Sequence, residues 1–154
     1  MNRLIPVAAA AALVTGLTLT AEPATAFAGE DAVYTARFSN TAVGGYDAVS
    51  FFRGEGTLGS KRFTAEHDGA EFRFASQENL DTFLSDPDKY APQFGGYCAW
   101  AIAEGKLAPG DPDFAAVVDG KLYLNFNQQV QNTWNTDRAG FIERAEANWP
   151  DILN

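Results

Sequence analysis

Twice in this chain a strand-like run is interrupted by Asp-Gly, and in the first of them apolar and polar residues alternate. The first instance is Arg62 to His67, Asp68-Gly69, then Ala70 to Phe74; the second is Phe114 to Val118, Asp119-Gly120, then Lys121 to Asn125. Asp-Gly supplies the two left-handed central positions of a tight hairpin turn, so each run is committed to an antiparallel ribbon with its register set by the turn. A helix signal follows each ribbon. Ser76 caps a helix through about Leu84, with Leu80, Phe83 and Leu84 as its buried stripe, and Asn127 to Trp134 forms the second. The expected fold class is therefore α+β, two short antiparallel β-hairpin plus helix units packed as one compact domain.

The two units, at about 62–90 and 114–141, align at a gapless offset of 51 positions. Asp68-Gly69 falls on Asp119-Gly120, Phe83 on Trp134, Asp86 on Asp137 and Tyr90 on Phe141. Identities are few and hairpin-helix units are common, so duplication and convergence both stay open. A two-residue turn pairs His67 with Ala70, Ala65 with Phe72 and Phe63 with Phe74, all on one face, which places His67 at the rim of the apolar side.

Elsewhere, Gly44-Gly45 makes a turn and Asp47 caps a brief helix through Phe52; the glycine-rich stretch Arg53 to Lys61 reads as a loop. Gly95-Gly96 precedes a helix from Tyr97 to Glu104 that Gly105 ends. Cys98 falls in its first turn, where free amides favour an anion and are expected to lower the thiol pKa. A last amphipathic helix runs from Asp137 to Trp149 with Phe141, Ile142 and Ala145 on one side, stopped by Pro150.

With 20 acidic against 11 basic residues in 154, a net charge of −9, the chain lacks the basic surface that phosphate neutralisation needs, so nucleic acid is not an expected partner. Residues 1–26 read as a secretory leader. Arg3 gives a positive start, Leu4 to Thr20 carries no charge, and Ala24-Thr25-Ala26 fits the small-x-small rule, with Ala26-Phe27-Ala28 an alternative cut. The mature chain is expected to be exported, periplasmic or extracellular, with no membrane span once the leader is cut. It would consist of a lead-in, 27–43, and a domain, 44–150.

Several motifs in order resemble the YHS-domain family, and more closely its exported members of roughly 150 residues. They are Gly45-Tyr46-Asp47-Ala48-Val49-Ser50-Phe51-Phe52, Phe72-Arg73-Phe74-Ala75-Ser76-Gln77-Glu78-Asn79, Asp86-Pro87-Asp88-Lys89-Tyr90, Phe94-Gly95-Gly96-Tyr97-Cys98 and Asp119-Gly120-Lys121-Leu122-Tyr123. The resemblance implies a compact YHS-type scaffold and an association with heavy-metal and copper handling. Where that family usually has cysteines this chain has Ser50, Ala75 and Asn79, so the candidate thiol is Cys98.

Cys98 and His67 are the only Cys and the only His. Together they would suit a soft cation, Cu(I) with two ligands, or Zn(II) with help from Asp47 or Asp68. The expected function is an exported small protein that binds or handles such a metal through one thiolate and one imidazole. The alternative is a metal-free structural module, or one that binds a protein partner or a small ligand. No protease signature surrounds Cys98, a lone Cys has no resolving partner, and no carboxylate pair stands out, so an enzyme is not expected. Tyr46, Phe51, Phe52, Tyr90, Phe94, Tyr97 and Trp100 form either core or an aromatic pocket.

Overall fold

The hairpin turns form as their residues dictate. In the computed structural model, which describes residues 29–154, Asp68 and Gly69 have φ of 48° and 81°, and Asp119 and Gly120 have 51° and 73°. The leader expected at 1–26 and both cleavage alternatives lie outside the described residues. Strand β1 (Tyr46–Asp47) pairs with β2 (Thr57–Leu58), β3 (Ser60–His67) with β4 (Ala70–Phe74), and β5 (Asp111–Val118) with β6 (Lys121–Asn125), all antiparallel. Six short helices fill the connections among the described residues: α1 (Ala48–Phe51), α2 (Gln77–Ser85), α3 (Pro87–Tyr90), α4 (Ala99–Ala103), α5 (Gln128–Asn135) and α6 (Arg138–Asn148). The α+β class holds.

Local chemistry explains most helix starts. The side chains of Asp47, Ser76, Asp86, Asn127 and Asp137 each accept from a backbone N–H two or three residues on. α4 ends in a Schellman arrangement, Gly105 N donating to Ile102 O and Lys106 N to Ala101 O, with Gly105 at φ 69°.

Four expectations need correction. Beyond Thr64 a bulge shifts the ribbon, so Phe74 lies opposite Ser60 and not Phe63. Thr57–Leu58 and the start of β3 form strands where a loop from Arg53 to Lys61 is expected, because β1 offers a ladder to pair with. Leu84 is 56% exposed; the next segment turns away at Asp86-Pro87 and leaves Phe83 alone as the fully buried anchor of α2. The second helix is shorter than Tyr97 to Glu104, and Cys98 is its N-cap residue.

The offset of 51 holds in the backbone of the hairpins, caps and turns, although α6 runs on well past the length of α3. It relates β3 to β5, the α2 cap Ser76 to the α5 cap Asn127, and the α3 cap Asp86 to the α6 cap Asp137. It also relates the bulges, Ser60/Thr64 to Asp111/Ala115, and the positive-φ positions Val43, Gly44 and Gly45 to Phe94, Gly95 and Gly96. A hairpin followed by a helix need not reproduce a bulge or a run of left-handed residues. The two halves are copies of one supersecondary unit.

Two cores form, and the first also takes in Leu122 and Leu124 from β6 of the second copy. Phe72, Phe74 and Phe83 centre the first, with Val33, Ala42 and Val43 contributed by the lead-in. Tyr123, Trp134, Ile102 and Ala145 centre the second. The seven candidate pocket aromatics divide between them: Tyr46, Phe51, Phe52 and Tyr90 pack on the first, and Phe94, Tyr97 and Trp100 on the second. The lead-in is thus part of the fold. Ala42 N donates to Glu71 O at 2.9 Å, Tyr34 N to Gly95 O at 2.9 Å, and Glu30 N to Leu153 O at 2.9 Å.

Burial pushes the Tyr123 phenol up to about 12, with Glu146 and Asp119 adding to it. The folded state therefore holds this proton more tightly than the unfolded chain. The contribution is complete below the ordinary value of 10 and is lost as pH rises from 10 toward 12. Urea midpoints are expected to fall across that range, and Tyr123→Phe to flatten the fall; an unchanged alkaline slope in the variant would assign it elsewhere.

Candidate binding site at the His67 cleft

His67 ends β3 beside the turn, on the apolar face, as the two-residue register requires. Its ring meets Phe72 and Phe83 edge-on, with centroids 6.0 and 5.8 Å away, and its side chain is 19% exposed. On the outer side, Nε2 lies 3.4 Å from Asp68 Oδ2 and 3.6 Å from Asp88 Oδ1. Asp68 comes from the turn itself and Asp88 from α3, which Asp86 and Pro87 start at that point.

These groups stand over a cleft of about 270 Å³. Four stretches of chain meet there: the turn, α3 with the segment through Gly95, the lead-in at Ala32 and Val33, and the C-terminal Trp149, Pro150 and Leu153. Gln93 is the remaining polar side chain of the wall. The site thus combines an imidazole and two carboxylates with an indole and an apolar floor.

A second cleft, of about 400 Å³, lies at the corresponding place in the other copy. Its walls include Val118, Asp119 and Ala139, the positions that match His67, Asp68 and Asp88. Only the turn aspartate recurs. His67 and Asp88 are therefore not required by the hairpin-helix scaffold, which builds the same cleft with Val and Ala.

Cys98 has other surroundings. It is fully buried, its N–H donates to Ala108 O at 2.9 Å, and its thiol points to Asn125 Oδ1 at 3.8 Å. Burial pushes the thiol pKa up, against the pull of backbone amides at Ala101, Phe126 and Trp100. The lowered thiol expected from the helix start is thus reversed, because desolvation of a thiolate outweighs a five-residue helix. Cys98 does not line the His67 cleft. Asp47, considered as an extra ligand, is also fully buried, with its oxygens taken by Val49 N, Ser50 N, Ala75 N and Asn79 Nδ2.

The match to known families falls on this first copy. The YHS-domain model matches residues 57–94, from β2 through α3 to Phe94. Over those residues the chain is similar to a YHS domain. Searches of curated proteins and of solved structures returned no match. The YHS match contains His67, Asp68 and Asp88 and ends before Cys98. A soft metal of the kind YHS domains are associated with does not fit the donors as arranged. The one thiol is enclosed and held protonated, and no group of three or more His, Cys, Asp or Glu that could hold a metal forms among the described residues. The YHS copy offers instead a cleft with an ionic rim, whose Asp88 no local pattern advertises. Only the docking of α3 against the turn brings it to His67.

Proposed function

We propose that this protein is an exported, non-catalytic binding module that takes a small organic cation, a primary amine or guanidinium with a short apolar stem, in the His67 cleft. The observation that carries this reading is the contrast between the copies. One backbone builds both clefts, and only the YHS copy sets an imidazole on the rim and leaves its carboxylates without a Lys or Arg among the lining residues, whereas the other cleft sets Lys121 and Arg138 beside Asp119, Glu143 and Glu146. Two carboxylates, both faced by the His67 Nε2 that positions them, attract a cation's N–H groups, and an indole beside them favours a cationic head. The net charge of −9 adds a field of the same sense. Export rests on the leader-like residues 1–26.

Soft-metal binding through Cys98 and His67 is the competing reading, drawn from the metal association of YHS domains. It requires the thiol to leave its enclosure and lose its proton. Calorimetric titration with butylamine and butylguanidinium, beside butyrate and anaerobic Cu(I) and Zn(II), separates the two. Expected is one-site binding of the cations and not of butyrate, weakened about tenfold (~1.4 kcal/mol) or more in Asp68→Asn/Asp88→Asn and also in His67→Ala, and unchanged in Cys98→Ser. Metal binding that is lost in both His67→Ala and Cys98→Ser, without binding of the amines, would overturn the proposal in favour of the metal.

A further inference from the structure

The offset that relates the two copies carries Asp47 onto Cys98. It also carries the three backbone amides that hold the Asp47 carboxylate, Val49, Ser50 and Ala75, onto Trp100, Ala101 and Phe126, the three amides that face the Cys98 sulfur. The second copy has the same cradle around a neutral thiol where the first holds an anion. In the first copy a fourth donor completes the seat, Asn79 Nδ2 at 2.6 Å from Asp47 Oδ2. In the second, the carboxamide of Asn125 lies against the sulfur, fully buried, and its Nδ2 has no hydrogen-bond partner. A buried donor without an acceptor is a destabilised group unless some state of the site supplies one.

We propose that Cys98 is a modification site, oxidised by a peroxide to the sulfinate, and that the amide cradle with Asn125 is its seat. A sulfinate places two anionic oxygens on an atom bonded to Cβ, the shape and charge of the Asp47 carboxylate. In the first step the sulfur attacks one hydrogen peroxide, the O–O bond breaks, an S–O bond forms and water leaves, giving the sulfenic acid. A second peroxide repeats this and gives the sulfinic acid and a second water. Loss of its proton leaves the sulfinate, four electrons more oxidised than the thiol. Rotation of the Asn125 carboxamide then turns Nδ2 toward a sulfinate oxygen. The Trp100 amide, which now donates to Asn125 Oδ1 at 3.3 Å, is free to donate to the sulfinate. Because Sγ is enclosed, the rate is set by local opening of α4 and the loop at Ala108, and is slower than that of a free thiol.

The test treats the reduced full chain with excess hydrogen peroxide over hours and weighs the Cys98 peptide, with a thiol peptide in the same tube as reference. Expected is a gain of about 32 Da that stops there, faster in low urea, in a protein that stays folded and melts no lower than the reduced form. Cys98→Asp tests the seat without oxidation, and is expected to fold with a melting temperature at least equal to that of Cys98→Ala. The proposal is overturned if Cys98 remains a thiol while the reference is consumed, if oxidation runs on to the sulfonate or unfolds the chain, or if Cys98→Asp fails to fold where Cys98→Ala does.

Discussion

Replacing Asp47 with Ala is expected to remove about 4–5 kcal/mol of folding stability, the largest loss from any single polar side chain of this protein. Asp47 is fully buried and engages four donors: Val49 N at 2.9 Å, Ser50 N at 3.3 Å, Ala75 N at 2.9 Å and Asn79 Nδ2 at 2.6 Å. No cation faces it among its hydrogen-bond partners. The charge is held by amide dipoles, two of them at the start of α1, where an anion is favoured. Truncation leaves these donors without an acceptor, each at about 1–3 kcal/mol when buried, with partial relief from entering water. Asp47→Asn keeps the shape but turns an NH₂ group toward two of the donors, so an intermediate loss of about 2–3 kcal/mol is expected. Urea unfolding of both variants checks the order. A loss under about 1.5 kcal/mol for Asp47→Ala would show that the carboxylate binds its donors no better than water does.

The second large effect is expected at Gly95. Its φ of 60° is one that side-chain-bearing residues rarely adopt, and a Cβ there would run into the carbonyl oxygen of Ala32. Gly44, its counterpart in the first copy, has nearly the same φ, 58°, but a Cβ would find only Pro112 Cγ at 3.4 Å. Gly44→Ala should therefore carry the backbone strain alone, about 1–2 kcal/mol. Gly95→Ala should lose about 3 kcal/mol or more, because the lead-in must also move and the bond from Tyr34 N to Gly95 O goes with it. Denaturation gives the energies, and limited proteolysis between residues 29 and 43 reports release of the lead-in. Since Ala32 and Gly95 both line the His67 cleft, Gly95→Ala is also expected to weaken ligand binding there. Equal losses at the two glycines would mean that the Ala32 contact yields freely.

The two variants separate what local pattern conveys from what it does not. The bonds from Asp47 to Val49 and Ser50 are legible in the sequence, because a cap reaches only two or three residues along the chain. Those to Ala75 and Asn79 span 28 and 32 residues, and no periodicity encodes them. The same division runs through the candidate site. His67 on the rim of the apolar face follows from the Asp-Gly turn and the two-residue repeat of a strand. Asp88 beside it, and Trp149 from the far end of the chain, follow only from docking.

The thiol shows the same limit. Its place at the start of α4 was legible from Gly95-Gly96 and the helix signal after it. Its protonation was not, because burial is a property of everything packed around a residue. The lead-in's share of the core is hidden in the sequence for a related reason. Val33, Ala42 and Val43 are buried from extended and turn segments without a regular period, so nothing marked them as core.

By itself, then, the sequence determined the hairpins, their turns and the helix caps, since steric preference and short-range hydrogen bonding act between residues a few positions apart. Tertiary structure alone decided that the two units are true copies down to their bulges, that Asp47 and Cys98 occupy one cradle, and that His67 and Asp88 share a cleft. Those depend on packing between segments far apart in the chain, where contact is set by the shape of the whole fold.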